Sequence, residues 1–169
     1  MNGPTALATY AFGLLVLLLI GLVARAMVAG WRRRAARQAA IIGDLPAAPA
    51  RLGRPVIASM RGLYIGTASA ADWLERIVAG GLGPRSSAAL TRYPEGILLE
   101  RAGADPIWMP QESVTAVGTA QALAGKVIPG GEFLVIRWRL PSGVEIDTGF
   151  RGSDRHDYPR WTEWTGEAA

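Results

Sequence analysis

Residues 133–150 read FLVIRWRLPSGVEIDTGF, two alternating stretches separated by Pro141-Ser142-Gly143. A three-residue loop gives this segment one apolar face, which includes Trp138, and one face with two pairs of opposite charge. A two-residue loop would shift the register by one residue and mix the two faces. We therefore predict an antiparallel hairpin with a three-residue loop. The predicted cross-strand pairs are Arg139 with Glu145, Trp138 with Ile146, Arg137 with Asp147 and Leu140 with Val144.

Upstream of this hairpin, short alternating stretches continue the β pattern. Turn signals recur about every eight to twelve residues after Arg54, which is the spacing of a small all-β domain. Pro94-Glu95-Gly96 is one such turn, because proline is favoured at the second turn position. The predicted upstream strands are residues 60–67, 88–93, 97–101, 106–109 and 113–117.

The C-terminal residues 153–169, SDRHDYPRWTEWTGEAA, predict one short helix. Asp157 is the expected N-cap, since aspartate is favoured there and Pro159 suits the first turn. Trp161 and Trp164 are three residues apart and would lie on one helix face, where they could cover the open end of a β-barrel.

The N-terminal segment predicts a membrane anchor. Residues 6–24, ALATYAFGLLVLLLIGLVA, contain no charge, and 19 helical residues span about 28 Å, close to the thickness of a bilayer core. A buried core helix would need a shorter run. Ala24-Arg25-Ala26 resembles the cleavage site of a signal peptide, but the residues before the apolar run include no lysine or arginine. We expect an uncleaved transmembrane helix within residues 1–30.

Aromatic and basic residues at both ends of this run define the predicted membrane interface. Tyr10 and Trp31 are about 31 Å apart along a helix, which would place one ring in each interfacial belt. Arg25 could extend its charge to the headgroups. By the positive-inside rule, the arginine cluster after the helix places the N-terminus outside and the following domain in the cytoplasm. The cluster consists of Arg32, Arg33, Arg34 and Arg37.

The positive charge of the chain is concentrated beside the anchor. Residues 1–54 contain seven arginines and one acid, a balance of +6, whereas residues 55–169 contain eleven basic and thirteen acidic residues, a balance of −2. A slightly acidic domain is a poor candidate for binding nucleic acid. We therefore divide the chain into the helix, a basic juxtamembrane segment with a Pro/Ala linker over residues 31–54, and a β domain over residues 55–169.

Few residues support catalysis. The chain has no cysteine, and His156 is its only histidine. Asp154 and Asp157 lie next to it, but capping and solvated charge explain such a cluster better than a metal site does. The glycine-rich residues 80–87 lack the Gly-Lys-Ser/Thr of a phosphate loop and are expected to form an inter-strand loop. We expect no enzyme activity, no cofactor and no metal.

About seven strands followed by one helix resemble the pleckstrin-homology (PH) superfold. The whole plan is similar to the bacterial PH-like membrane proteins of actinobacteria, through residues 61–67 (RGLYIGT), residues 107–114 (IWMPQESV), the final hairpin and the tryptophan-bearing tail. The resemblance implies a mainly β fold, a small PH-like barrel or sandwich with a C-terminal helix. It also implies a membrane-tethered binding or scaffold module without catalytic residues.

Two functions follow from this plan, with the lipid bilayer and an unidentified protein as the expected partners. In the first, the cytoplasmic domain recruits a partner protein to the inner membrane. In the second, the protein is an accessory subunit of a transport or secretion complex and docks through its transmembrane helix. Small residues on one helix face could allow self-association, although they are common in any transmembrane helix. They are Thr5, Thr9, Gly13 and Gly21.

A reporter that is active only outside the cytoplasm tests the predicted orientation. Fused after Ala169, it should give no signal, because the arginine cluster keeps the following domain inside. A reporter that requires the cytoplasm, fused at the same position, should be active. The opposite pair of results would reverse the topology and favour a cleaved signal peptide.

Overall fold

The structure, a computed structural model, describes residues 3–127 and 131–163. The chain forms two compact units, Met1–Arg37 and Gln38–Ala169. The helices and strands are α1 (Gly3–Ile42), β1 (Ile57–Ser69), β2 (Ser86–Tyr93), β3 (Gly96–Arg101), β4 (Ala104–Pro110), β5 (Val114–Ala120), β6 (Ala122–Leu123), β7 (Lys126–Val127), β8 (Phe133–Arg139), β9 (Glu145–Gly152) and α2 (Tyr158–Thr162).

The first unit is formed by most of α1. Its residues Tyr10–Gly30 form a run of 21 residues with a mean hydropathy of 2.5, and none of this run is buried. A helix of this length and composition is able to cross a membrane, and the apolar core of a signal sequence has the same character.

The second unit is built on one antiparallel sheet of seven strands in the order β4-β3-β2-β1-β9-β8-β5. The long strand β1 pairs with β2 over Ile57–Tyr64 and with β9 over Gly62–Ser69. Its register shifts between Tyr64 and Gly66, where Gly66 has a φ of +146°. With the N-terminal apolar helix and the C-terminal helix α2, this sheet confirms the predicted mainly β architecture.

The final hairpin has the predicted register. Arg137, Trp138 and Arg139 lie opposite Asp147, Ile146 and Glu145. In the loop, the Gly143 amide donates to the Leu140 carbonyl at 2.8 Å, and Gly143 has a φ of +85°. Trp138 is completely buried, and its Nε1 donates to Thr148 Oγ1 at 2.9 Å.

The other predicted strands are present, with bounds shifted by a few residues. The short hairpin formed by β6 and β7 was not predicted, because strands of two residues carry no detectable alternation. Asp157 occupies the predicted N-cap position of α2, but its backbone angles are helical and its side chain makes no capping hydrogen bond. Asp154 instead accepts from the His156 amide at 2.9 Å and caps a 3-10 turn before α2. Trp161 is buried, and Trp164 lies outside the described residues.

The end of α1 belongs to the second unit. Ile42 is only 3% exposed and lies in the main core cluster, and Leu45 packs against this cluster from the following segment. Residues before the predicted linker boundary therefore contribute to the folded domain. The division into an anchor, a linker and a domain at residues 30 and 54 stays a prediction.

A chain of residues 38–169 tests this contribution. In that chain, Ile42→Ala should destabilise the domain by about 2–5 kcal/mol, because it removes buried methyl groups and leaves a cavity. Ile41→Ala is the matched control, since Ile41 is 62% exposed and should change stability by less than about 0.5 kcal/mol. Thermal melts measure both. Equal effects of the two variants would contradict a core role for Ile42.

Candidate functional site

The residues predicted to meet the membrane all lie along α1. Tyr10, Arg25, Arg32 and Arg33 are exposed. Trp31, Arg34 and Arg37 are helical, but their side chains lie outside the described part of the structure. The contact of all seven residues with a bilayer stays a prediction.

In the second unit, a shallow groove of about 270 Å³ lies on the face of the sheet opposite the main core. We name it the Trp73 groove. It is lined by Trp73 and by four residues of β5, which we call its floor: Ala116, Gly118, Thr119 and Ala120. The β6–β7 hairpin contributes Leu123. The lining is mostly apolar, so this groove is suited to binding apolar groups.

Trp73 is displayed by a turn in the connection between β1 and β2. The Leu74 amide donates to Asp72 Oδ1 at 2.9 Å, and the Glu75 amide donates to the Asp72 carbonyl at 3.0 Å. Aspartate often organises turns in this way. The turn leaves Trp73 43% exposed and Leu74 58% exposed. Two neighbouring large apolar side chains are therefore presented to the solvent.

The remainder of this connection is held by Gln38, in the last turns of α1. Gln38 Nε2 donates to the Arg76 carbonyl at 3.1 Å, and Gln38 Oε1 accepts from the Val78 amide at 2.9 Å. The Ile77 amide donates to the Thr67 carbonyl of β1 at 2.9 Å. Contacts on both sides thus fix the segment that follows Trp73.

The β6–β7 hairpin packs on the same outer face through Leu123, which is 2% exposed. A Cβ on Gly149 would lie 2.6 Å from Leu123 Cδ2, so a side chain there would require Leu123 to shift. Leu123 and Ala124 form a second small apolar cluster with Ala68 and Phe133. The hairpin is therefore held by packing against the sheet.

An ion pair lies at one end of the Trp73 groove. Arg137 Nε and Nη2 donate to the two carboxylate oxygens of Asp147, both at 2.8 Å. The hydrogen bonds and the negative charge of Asp147 raise the pKa of Arg137. The Asp147 residue is only 6% exposed. The two charges that line the groove thus neutralise each other.

A second concave surface contains Arg61, Ser87, Glu100, Arg101 and Ser153. Its most buried cation, Arg101, is held by backbone carbonyls. Arg101 donates through Nη1 to the Gly81 carbonyl at 2.7 Å, and through Nε and Nη2 to the Asp105 carbonyl at 2.9 and 2.6 Å. Burial lowers the pKa of Arg101. Among the described residues that line this surface, Arg61 is the one other cation. The surface is therefore a weak candidate for binding phosphate.

A protein-family model described as Bacterial PH domain-like matches residues 42–166. The chain belongs to the bacterial PH domain-like family. The match begins at Ile42, the buried residue at the end of α1. No curated protein and no solved structure matches the chain. The family is generally non-enzymatic.

The two other groups singled out in the sequence form no site in the PH-like domain. His156 and Asp154 are exposed, and their contact is the backbone cap already described. Among the described residues, no group of three or more His, Cys, Asp or Glu is placed to hold a metal ion. In the glycine-rich loop at residues 80–87, Leu82 is fully buried. The large apolar residue of this loop therefore belongs to the core.

Sequence reasoning missed the residues of the Trp73 groove. Two signals were available. Trp73-Leu74 lies between Asp72 and Glu75 where no strand alternation buries it, and Gly118 lies inside an alternating stretch that becomes β5. A glycine inside a strand often marks the close approach of another group. Because these two signals lie far apart in the sequence, the sequence alone did not show that they belong to one surface of the PH-like domain.

Alanine substitutions at two glycines test the geometry of this surface. Gly149→Ala should displace Leu123, destabilise the domain by about 1–3 kcal/mol and speed hydrogen exchange of residues 122–127. Gly118→Ala is the matched control, because its Cβ would meet nothing within 4 Å. It should leave stability unchanged or raise it by up to about 1 kcal/mol. Similar destabilisation by both variants would contradict the packing of Leu123 on Gly149.

Proposed function

We propose that this protein is a membrane-tethered binding protein whose cytoplasmic PH-like domain recruits a partner protein to the inner membrane. One observation carries the proposal. An apolar helix of 21 residues, exposed along its whole length, is joined in one chain to a PH-like domain. A helix of this kind is favourable in lipid and unfavourable in water, which supports a membrane location for the domain that follows it.

The charges after the helix support a cytoplasmic domain. Arg32, Arg33, Arg34 and Arg37 follow the apolar run, and the sequence before the run has no basic residue. Seven residues separate Gly30 from Gln38, which begins the second unit. Such a segment spans at most about 25 Å even when fully extended. A partner of the domain would therefore be concentrated near the bilayer, where a tether favours further contacts without strengthening any single one.

The proposal assigns no catalysis to the domain. Its family is generally non-enzymatic. Arg101 is held by backbone carbonyls, and Arg137 is held by Asp147. The most buried charged groups of the two concave surfaces, Arg101 and the Arg137–Asp147 pair, thus have structural partners. Binding through shape and apolar contact accounts for the outer face of the sheet better than chemistry does.

A second function places the docking surface on the helix itself, as in an accessory subunit of a transport or secretion complex. The exposure of the whole span from Tyr10 to Gly30 favours it. Gly13 and Gly21 also have open space around them, which would allow another helix to approach closely. The two functions differ in which unit of the chain holds the partner.

Co-purification in mild detergent distinguishes the two functions. We expect the full-length protein to retain a specific partner, and a chain of residues 38–169 to retain it as well, because the PH-like domain carries the contact. A chimaera with an unrelated transmembrane helix in place of residues 3–30 is the matched control and should behave like the full-length protein. Loss of the partner from both altered chains would favour the accessory-subunit function. Failure of the unaltered protein to retain any partner would contradict both.

A further inference from the structure

All but one of the glycines in the seven-stranded sheet are explained by their backbone angles or by close neighbours. Gly66 and Gly96 have φ values of +146° and +154°, which side chains rarely adopt. At the other sheet glycines except Gly118, an added Cβ would collide with a neighbouring atom. These collisions are with the Arg151 carbonyl at Gly62, with Leu123 at Gly149 and with Met60 at Gly152.

Neither backbone angle nor crowding explains why residue 118 is glycine. Its φ is not positive, and a Cβ added there would meet nothing within 4 Å. A glycine inside a strand weakens it, and such a residue often marks a site where a ligand or another backbone approaches closely. Ala116 and Ala120, two residues away on either side, also line the Trp73 groove. The floor of the groove is thus kept free of large side chains although nothing in the described chain occupies the space.

The opposite side of the groove supplies an apolar contact. Trp73 is 43% exposed although it is among the largest apolar side chains of the domain. Tryptophan is enriched in the central residues of protein interfaces, where it is buried by the partner. The groove holds about 270 Å³, slightly below the usual range of about 300–1,000 Å³ for drug-sized ligands. Its size therefore suits one bulky side chain.

The charges around the groove indicate whether the side chain that it binds is charged or neutral. The charges that line the groove, on Arg137 and Asp147, are bound to each other by two hydrogen bonds. A charged ligand would have to compete with that pair, whereas an uncharged ligand leaves it intact. Asp72 and Glu75 flank the exposed Trp73 and Leu74, and an anionic lipid surface would repel both carboxylates. A neutral protein segment is favoured over a bilayer.

We propose that the Trp73 groove binds an extended, uncharged segment of the recruited partner protein, with one aliphatic or aromatic side chain packed between Trp73 and the floor at Gly118. The segment is extended because a floor of small residues along β5 allows a second backbone to lie close to it. This assignment rests on the proposed recruitment of a partner and specifies the surface and the chemistry of that contact.

Fluorine NMR of the full-length protein in nanodiscs of zwitterionic lipid tests the assignment. The protein carries 5-fluorotryptophan, and Trp73→Phe identifies the Trp73 resonance. The probe is the blocked tripeptide acetyl-Ala-Leu-Ala-amide, compared with tripeptides that carry arginine or glutamate at the central position. We expect the leucine tripeptide to shift the Trp73 resonance saturably and to bind at least tenfold more tightly than either charged tripeptide.

A variant that fills the groove completes the test. A Cβ at Gly118 would meet nothing within 4 Å, so Gly118→Val should weaken binding of the leucine tripeptide at least tenfold and leave the melting temperature unchanged or higher. Thr115→Val is the control, since Thr115 is exposed on the same strand and does not line the groove. It loses only an exposed hydrogen bond of 3.4 Å from Thr115 Oγ1 to the Arg137 carbonyl. It should bind like the unaltered protein.

Several results would overturn the assignment. Equal binding of the three tripeptides, or unchanged binding by Gly118→Val, would show that the groove does not select an apolar side chain. A Trp73 shift caused by anionic lipid alone would identify a bilayer as the occupant, and a shift caused by raising the protein concentration alone would identify a second copy. If Gly118→Val still co-purified with the partner, recruitment would stand and the groove would not be its site. Absence of any partner from the unaltered protein would instead remove the proposed function.

Discussion

The double pairing of β1 is the constraint on which the rest of the domain depends. Between Gly62 and Tyr64 the strand pairs with β2 on one side and with β9 on the other. A side chain at position 62 would overlap the carbonyl of Arg151 and the ring of Phe150. Glycine therefore allows the two halves of the sheet to be joined through one strand. The main core and the outer face both take their positions from this join.

A chain of buried hydrogen bonds connects that strand to the elements around it. The hydroxyl of Tyr64 donates to the Leu82 carbonyl at 2.6 Å and lies 2.8 Å from Thr67 Oγ1. Thr67 contacts Thr148 at 3.2 Å, and Thr148 accepts from Trp138. Burial raises the pKa of Tyr64, because the charged form would lose its water. The β1–β2 connection, β1 and the final hairpin are thus linked inside the core, where unsatisfied polar groups would be costly.

Features that depend on a local sequence pattern were predicted correctly. The register of the final hairpin followed from the charge pairs at Arg137 and Arg139, since a shift by one residue would place both arginines opposite apolar residues. The apolar helix was evident from composition, although α1 continues to Ile42, beyond the predicted segment of residues 1–30. The N-cap position of α2 at Asp157 was predicted correctly, but the capping hydrogen bond is made by Asp154 at the 3-10 turn before it, which the sequence pattern did not indicate. The contributions of Gln38 and Ile42 lay outside the predicted β domain, in a segment that reads as a helical extension of the anchor.

The candidate site was less accessible to such reasoning. Trp73 and Gly118 are separated by more than forty residues, and their proximity depends on the complete strand order. The packing of Leu123 on Gly149 was also hidden in the sequence. The β6–β7 hairpin is too short to be recognised from its pattern, and a glycine in a strand does not by itself identify its neighbour. Tertiary structure rather than local propensity brings these residues to one surface.

Side chains along β8 alternate between the main core and the outer face, so the two sets of residues are subject to different evolutionary constraints. Leu134, Ile136 and Trp138 point to the main core, while Val135 and Arg137 point to the outer face. Substitutions on the outer face change what the strand presents to other molecules without altering the side chains that hold the fold together. Related domains could therefore diverge in their ligands, one alternate residue at a time, while keeping the same foldable scaffold.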